Sequence, residues 1–211
     1  MQISEIEKAP LMRAMTRMLA ARSGQLLVPA VLAKELGLPQ PTVARYLTLL
    51  EEVFLIKRLP SWSRRIGGRS IGTSKVAMVD SGVAASLGGL DTHALRQPGR
   101  NFGGLLQAFV AMEIARQLTW SQQRGELFHY RTKDKVEVDL VVENRAGQVL
   151  AFDVKASSTV RAEDFRGLRH LTDRIGEDLI VGAVLYTGQE TLSFGPRFRA
   201  IPISAVWEAS R

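Results

Sequence analysis

The chain has 211 residues, with 28 Lys plus Arg against 21 Asp plus Glu and 45% hydrophobic residues, a globular composition that argues against wholesale disorder. It contains no cysteine, which excludes a disulfide scaffold, a Cys-ligated zinc site and a thiol nucleophile. No apolar run reaches the roughly 18 residues of a membrane span, and Met1 to Glu7 lacks the basic start and apolar core of a signal peptide. The sequence therefore reads as a cytoplasmic protein with no membrane partner. Charge is unevenly placed: residues 1–90 carry +6 and residues 91–211 carry +1. A basic excess confined to one segment is the footprint of a module that meets phosphates, or a plain solubility surplus.

Helical spacing of Met12, Met15 and Leu19 predicts a first helix over about residues 10–22, stopped at Ser23-Gly24. A second helix covers Ala30 to Leu36 and ends at Gly37, and a third runs from Pro41 to Glu51. Two short helices joined by a tight turn match a helix-turn-helix. Val43, Leu47 and Leu50 pack inward, which leaves Gln40, Thr42 and Arg45 outward on the part of such a helix that enters a major groove. Phe54 to Leu59 and Ser74 to Val79 read as a strand and its return. Between them the loop around Arg64, Arg65 and Arg69 forms a basic wing suited to backbone phosphates. The competing reading is a packing or dimerisation module with no nucleic acid.

After a boundary between Leu87 and Gly99, a long helix runs from about Gly103 to Thr119. Lys135 to Glu143 alternates, with Val136, Val138, Leu140 and Val142 on one face and Glu137 and Asp139 on the other. After a turn, Val149 to Ala156 places Asp153 and Lys155 on one face. The expectation is that Asp139, Asp153 and Lys155 converge. Two carboxylates can hold Mg²⁺ or Mn²⁺ through oxygen, and a neighbouring Lys can orient a water attacking a phosphodiester. The competing cause is a solvated face with Asp153 paired to Lys155. Tyr130-Arg131-Thr132 precedes the acidic strand, and Arg131 either contacts phosphate or pairs with Asp139 or Glu137. Lys75 and Asp80 read as structural, tying the wing to the domain interface. His93, His129 and His170 show no ligand spacing, and Trp62, Trp120 and Trp207 read as packing anchors. Ala162 to Leu171 reads as a helix, Leu179 to Tyr186 as a buried strand, and Ile201-Pro202-Ile203 as an edge strand where proline is tolerated.

These motifs in this order resemble the PD-(D/E)XK nuclease-like fold. More narrowly, nearly the whole chain resembles the DUF4143 region that ends a prokaryotic AAA-type ATPase family. The matching residues are Pro41 to Leu47 with Leu49-Leu50-Glu51, Ser74-Lys75-Val76 with Asp80-Ser81-Gly82, and Gly104-Leu105-Leu106 with Phe109-Val110 and Glu113-Ile114. Tyr130-Arg131-Thr132, Glu137-Val138-Asp139, Asp153 to Ser157, and Ile201-Pro202 with Val206-Trp207 complete the match. The resemblance implies an ATPase domain ahead of this region. No phosphate-binding loop is present here, because Gly67-Gly68-Arg69 lacks the lysine and the strand–loop–helix setting. The chain is then a truncated homologue or an excised C-terminal piece, without ATP-binding residues. The family pattern has Glu where this chain has Gln107, which removes a negative charge from the implied metal environment and leaves Glu113 as the helix acid.

The expected architecture is α/β (α+β): a winged helix-turn-helix over residues 1–90, then a PD-(D/E)XK-like mixed-sheet domain over 91–211. One functional reading is a DNA-associated protein with a weak or lost phosphodiesterase activity, in which Asp139 and Asp153 are metal ligands, Lys155 positions water and Glu113 assists. The other is a non-catalytic module that binds nucleic acid or protein and regulates an AAA-type ATPase, with a homo-oligomer as a further partner.

Overall fold

The structure is a computed structural model, and it describes residues 9–64, 72–95 and 102–208. Helix α1 (Ala9–Ala21) buries Met15, Leu19 and Ala20 as one apolar stripe. Helix α2 (Pro29–Leu36) has its proline in the first turn and ends at Gly37, whose φ of 63° closes the helix in the left-handed region. Helix α3 (Gln40–Glu52) buries Val43, Leu47 and Leu50, the three residues that helical spacing points inward. Strands β1 (Ile56–Leu59) and β2 (Lys75–Met78) then pair antiparallel, Ile56 opposite Met78. Helix α4 (Ser81–Leu87) is capped by Asp80, whose Oδ1 accepts from the Val83 amide at 2.7 Å. A short helix α5 (Thr92–Leu95) follows.

Helix α6 (Phe102–Trp120) is apolar on several sides because it is a shared wall. Leu105 joins the first core with Met15, Leu32, Leu47 and Met78. Val110, Ala111 and Ile114 join another core with Leu140, Val154 and Leu185. The second half is a mixed α/β unit with a six-stranded sheet. Its strands are β3 (Gly125–Arg131), β4 (Glu137–Asn144), β5 (Val149–Lys155), β6 (Leu179–Tyr186), β7 (Leu192–Ser193) and β8 (Phe198–Pro202), in spatial order β3-β4-β5-β6-β8-β7. Pairs β5–β6 and β6–β8 are parallel, and the others antiparallel. Helix α7 (Arg166–Ile175), led in by a 3-10 turn (Ala162–Phe165), makes the parallel crossover between β5 and β6. Its Leu168 and Leu171 pack on Val141, Ala151 and Val184. The sheet therefore lies between α6 on one face and α7 on the other. A last short helix α8 spans Ala205–Glu208. No helix among the described residues is long and apolar enough to cross a membrane.

Three features depart from the sequence pattern. Strand β3 is invisible to a period-2 search because Leu127, Phe128, His129 and Tyr130 are all buried: both of its faces are covered, so alternation is lost. Strand β8 is internal rather than an edge, lying between β6 and β7, and Pro202 is tolerated because it ends the strand opposite Tyr186. Trp120 is 69% exposed, whereas Trp62 is buried and its ring packs edge-on against Tyr130. Trp62 also belongs to a stitch between the two halves. Past β1 the chain runs along β3, where the Trp62 amide donates to the His129 carbonyl at 2.6 Å and the His129 amide donates to the Pro60 carbonyl at 3.0 Å.

Gly167 marks the closest approach of α7 to the sheet. A Cβ there would lie 2.0 Å from the Glu137 carbonyl oxygen, a backbone atom with no room to move. Gly167→Ala is expected to destabilise the protein by about 3 kcal/mol, at the upper end of overpacking costs. Thermal melting should show this as a Tm lowered by roughly 6–12 °C; an unchanged Tm would refute this docking of α7.

Candidate functional site

The site grows out of one irregularity in β4. Phe128 pairs with Val141, but Tyr130 pairs with Val138, so β4 advances three residues where β3 advances two. That is a β-bulge. Val138 and Val141 accordingly both pack on the α7 side, while Leu140 packs against α6. Asp139 shares the α6 side, where its partners lie. Strict alternation would have put Asp139 on the opposite face.

Asp139 is held by three donors. Lys75 Nζ, from β2, lies 2.9 Å from Oδ1. Gln107 Nε2, from α6, donates to Oδ2 at 3.1 Å, and the Val154 amide donates to the same oxygen at 3.0 Å. The Asp139 amide in turn donates to Asp153 Oδ1 at 3.1 Å. The regular β4–β5 pairing ends at Leu140 opposite Phe152, and beyond it each aspartate takes an amide of the other strand. The cluster is buried: Lys75 is 5% exposed and Asp153 9%.

Burial pushes the Asp153 carboxyl up to about 7, reinforced by the negative charge of Asp139 and opposed by the hydrogen bond from the Asp139 amide and by Lys155 and Lys75. His129 lies on β3 opposite the bulge and is 1% exposed. Its Nε2 sits 2.9 Å from the Thr73 carbonyl. A carbonyl only accepts, so Nε2 carries the proton in the neutral ring, and Nδ1 is buried without a partner. Burial pulls this imidazole down to about 4; the Thr73 hydrogen bond opposes the shift and Lys75 adds to it.

The structure brings together some of the residues expected at the site. Asp139 and Asp153 are neighbours. Lys155 is 3.3 Å from Asp164 Oδ1 in the 3-10 turn before α7, continuing the α7-side row of Val149 and Ala151. Glu113 pairs with Arg116, which also donates to the Val79 carbonyl at 2.8 Å. Gln107 and Glu113 are six residues apart and occupy different faces, as 100° per residue requires; the one that meets the hairpin is Gln107. Arg131 pairs with Glu137. On the first half, Gln40 and Arg45 are exposed and Thr42 half-buried on α3. Arg64 pairs with Asp178. Arg65 and Arg69 lie outside the described residues.

As placed, the donor set does not fit a divalent cation. Both Asp139 oxygens are already bonded, one to an ammonium, and Asp153 is driven toward its neutral form. Among the described residues no three His, Asp or Glu side chains converge. Sequence reasoning places Lys75 at the domain interface without its partner Asp139, and gives His129 no role. Lys75 signals itself as a lysine opening the apolar run Val76-Ala77-Met78, and His129 as a lone polar residue in Leu127 to Tyr130.

Residues 102–206 match the DUF4143 family, a domain of unknown function. Residues 1–94 match a second domain of unknown function, DUF8612. Gln107, Asp139 and Asp153 thus lie in the DUF4143 segment and Lys75 in the DUF8612 segment, so the ion pair joins the two. Uncharacterized proteins of Mycobacterium tuberculosis and Mycobacterium bovis are each 29% identical over 201 residues, covering 95% of this chain and 43% of their own length. An uncharacterized protein of Haemophilus influenzae is 25% identical over 182 residues, covering 84% and 42%. The chain thus spans less than half the length of these relatives. No solved structure matches.

Lys75→Met strands Asp139 in a buried setting without its counter-charge and is expected to cost about 3–5 kcal/mol. The double variant Lys75→Met/Asp139→Asn should recover a large part of that in urea unfolding; no recovery would sink the pairing. The two shifted groups oppose each other in pH dependence. The folded state holds the Asp153 proton up to about 7, so this group makes stability fall as pH rises from about 4 to 7. Folded His129 gives up its proton down to about 4, so it makes stability rise over about pH 4 to 6.5. Asp153→Asn should therefore leave a stability that climbs more steeply with pH between 4.5 and 6.5 than in the wild type, by at most about 1.4 kcal/mol per pH unit. An identical slope in the two proteins would refute the buried protonated Asp153.

Proposed function

We propose that this chain is a non-catalytic nucleic-acid-binding module, in which a PD-(D/E)XK-like sheet serves as scaffold for a winged helix. The observation that carries this reading is the occupation of Asp139: Lys75 at 2.9 Å and Gln107 at 3.1 Å take the two oxygens that a metal would need. The amine expected to position a water, Lys155, is turned to Asp164. Both losses bear on the same chemistry. A phosphodiesterase of this kind needs a divalent cation to polarise the phosphate and to lower the pKa of its water, and the cluster instead supplies its own monovalent cation.

Three helices followed by an antiparallel ribbon are the element order of a winged helix, and Gln40 and Arg45 are exposed where such modules meet base edges. The +6 of residues 1–90 supports a phosphate-bearing partner. The relatives are more than twice as long as the aligned segment, and the family resemblance makes an AAA-type ATPase the natural neighbour, for which this module would be the DNA-reading end. Protein contact is the second reading. Phe54, 80% exposed beside Val53 at 50%, favours it.

Fluorescence anisotropy with duplex DNA separates the two readings. Nucleic-acid binding predicts an affinity that falls steeply between 50 and 200 mM salt, weakened several-fold in Arg45→Ala. An affinity indifferent to salt would transfer the assignment to protein contact. Supercoiled plasmid with Mn²⁺ should remain uncut; cleavage that disappears in Asp153→Ala would restore a working nuclease.

A further inference from the structure

We propose a second phosphate-binding surface, an open cleft of about 550 Å³ at the open end of the β3–β4 pair, beside the turn that leads into β5, lined by Arg64, Arg124 and Arg145. It takes the phosphodiester backbone of a nucleic acid. The inference rests on the nucleic-acid reading above but uses no residue of α3.

The three arginines come from three segments, each fixed by its own contacts. Gly125 pairs with Asn144, so Arg124 and Arg145 both lie just beyond the end of the pair. Both are exposed. Arg145 sits in a turn locked by Asn144, whose Oδ1 accepts from the Ala146 and Gln148 amides at 3.0 Å each and whose Nδ2 donates to Gln148 Oε1 at 2.9 Å. Arg64 follows Trp62 by two residues. The Trp62 indole donates to Glu143 Oε2 at 3.2 Å, and Arg64 itself pairs with Asp178.

Like charges directly opposite across a pair of strands are destabilising. At this end Glu126 lies opposite Glu143, and Arg124 and Arg145 flank the last paired residues, Gly125 and Asn144. Two arginines flanking an open strand end repel each other, and an anion between them removes that repulsion. Guanidinium forks match phosphate oxygens in pairs. Glu126 and Glu143 also line the cleft, and Glu143 is engaged by Trp62. The walls are charged and open, unlike the enclosed, mainly apolar pockets that hold small molecules. That favours a continuous backbone lying across the cleft.

The test compares wild type, Arg124→Gln/Arg145→Gln and Arg45→Ala for duplex binding over a salt series. Both glutamines sit on exposed positions, and a melting curve controls for folding. Each lost phosphate contact reduces the salt slope by about 0.9, so the double variant should lose up to about 1.8 in slope and at least about tenfold in affinity at low salt. Slope and affinity equal to wild type, with Arg45→Ala still weakened, would overturn the cleft and leave the proposed function standing. Absence of DNA binding by the wild type would remove both. Calorimetry with inorganic phosphate alone should give nothing tighter than millimolar; a tight, saturable site would reassign the cleft to a free anion and also overturn the proposal.

Discussion

Lys75 and Asp139 meet 2.9 Å apart in a nearly dry setting, and the relation between the two halves of the molecule depends on them. At that distance the attraction is about 6 kcal/mol at an effective dielectric of 20. Desolvating each ion costs several kcal/mol, so the pair adds little net stability. Its value is conditional. Once the other contacts have formed, neither partner can be left alone in the interior without a large penalty. The pair therefore acts as a test of registration: β2, β4 and α6 must all arrive for the charges to be satisfied. Gln107 and the Val154 amide reinforce this by bonding the oxygen that Lys75 leaves. The paired backbone of Trp62 and His129 at the sheet edge fixes the same interface from a second direction.

The elements that were legible in the sequence are the helices with one wet face and the strand whose apolar run is long enough to stand out. Helices α1, α2 and α3 follow from apolar spacing and strand β6 from its continuous apolar run, and Gly37 ends α2 because its left-handed φ suits glycine. The acidic hairpin was legible too, including the proximity of Asp139 and Asp153, though not the turn of Lys155 toward Asp164. The side on which Asp139 points was not. Period-2 reasoning assumes an unbroken ladder, and a bulge shows itself only when the partner strand is known. That partner, β3, was hidden because four successive buried residues carry no alternation. Missing β3 thus led to misplacing Asp139. The pairing of Arg131 with Glu137 was one of the alternatives left open, and the register that puts those two opposite each other decides it.

Burial has opposite consequences for the two titratable groups around the bulge. It shifts Asp153 toward its protonated form and His129 toward its neutral form, so in both cases burial favours the uncharged state. The buried space around the bulge thus admits one ion pair and resists any further charge. A protonated Asp153 remains useful to the fold, since its Oδ1 still accepts from the Asp139 amide.

This charge count explains why Gln107 suits the site. Lys75 contributes one positive charge and Asp139 one negative, and Asp153 is pushed toward neutrality. A glutamate at 107 would place a second ionised carboxylate against the same Asp139 oxygen, where Lys75 already serves Asp139. It would require either a divalent ion or a proton. Glutamine keeps the geometry, donates where glutamate would repel, and leaves the cluster balanced by Lys75 alone. Lysine at 75 and glutamine at 107 are in this sense one choice. Together they satisfy Asp139 with contacts supplied by the chain, and the Lys75 contact ties the basic N-terminal half to the sheet.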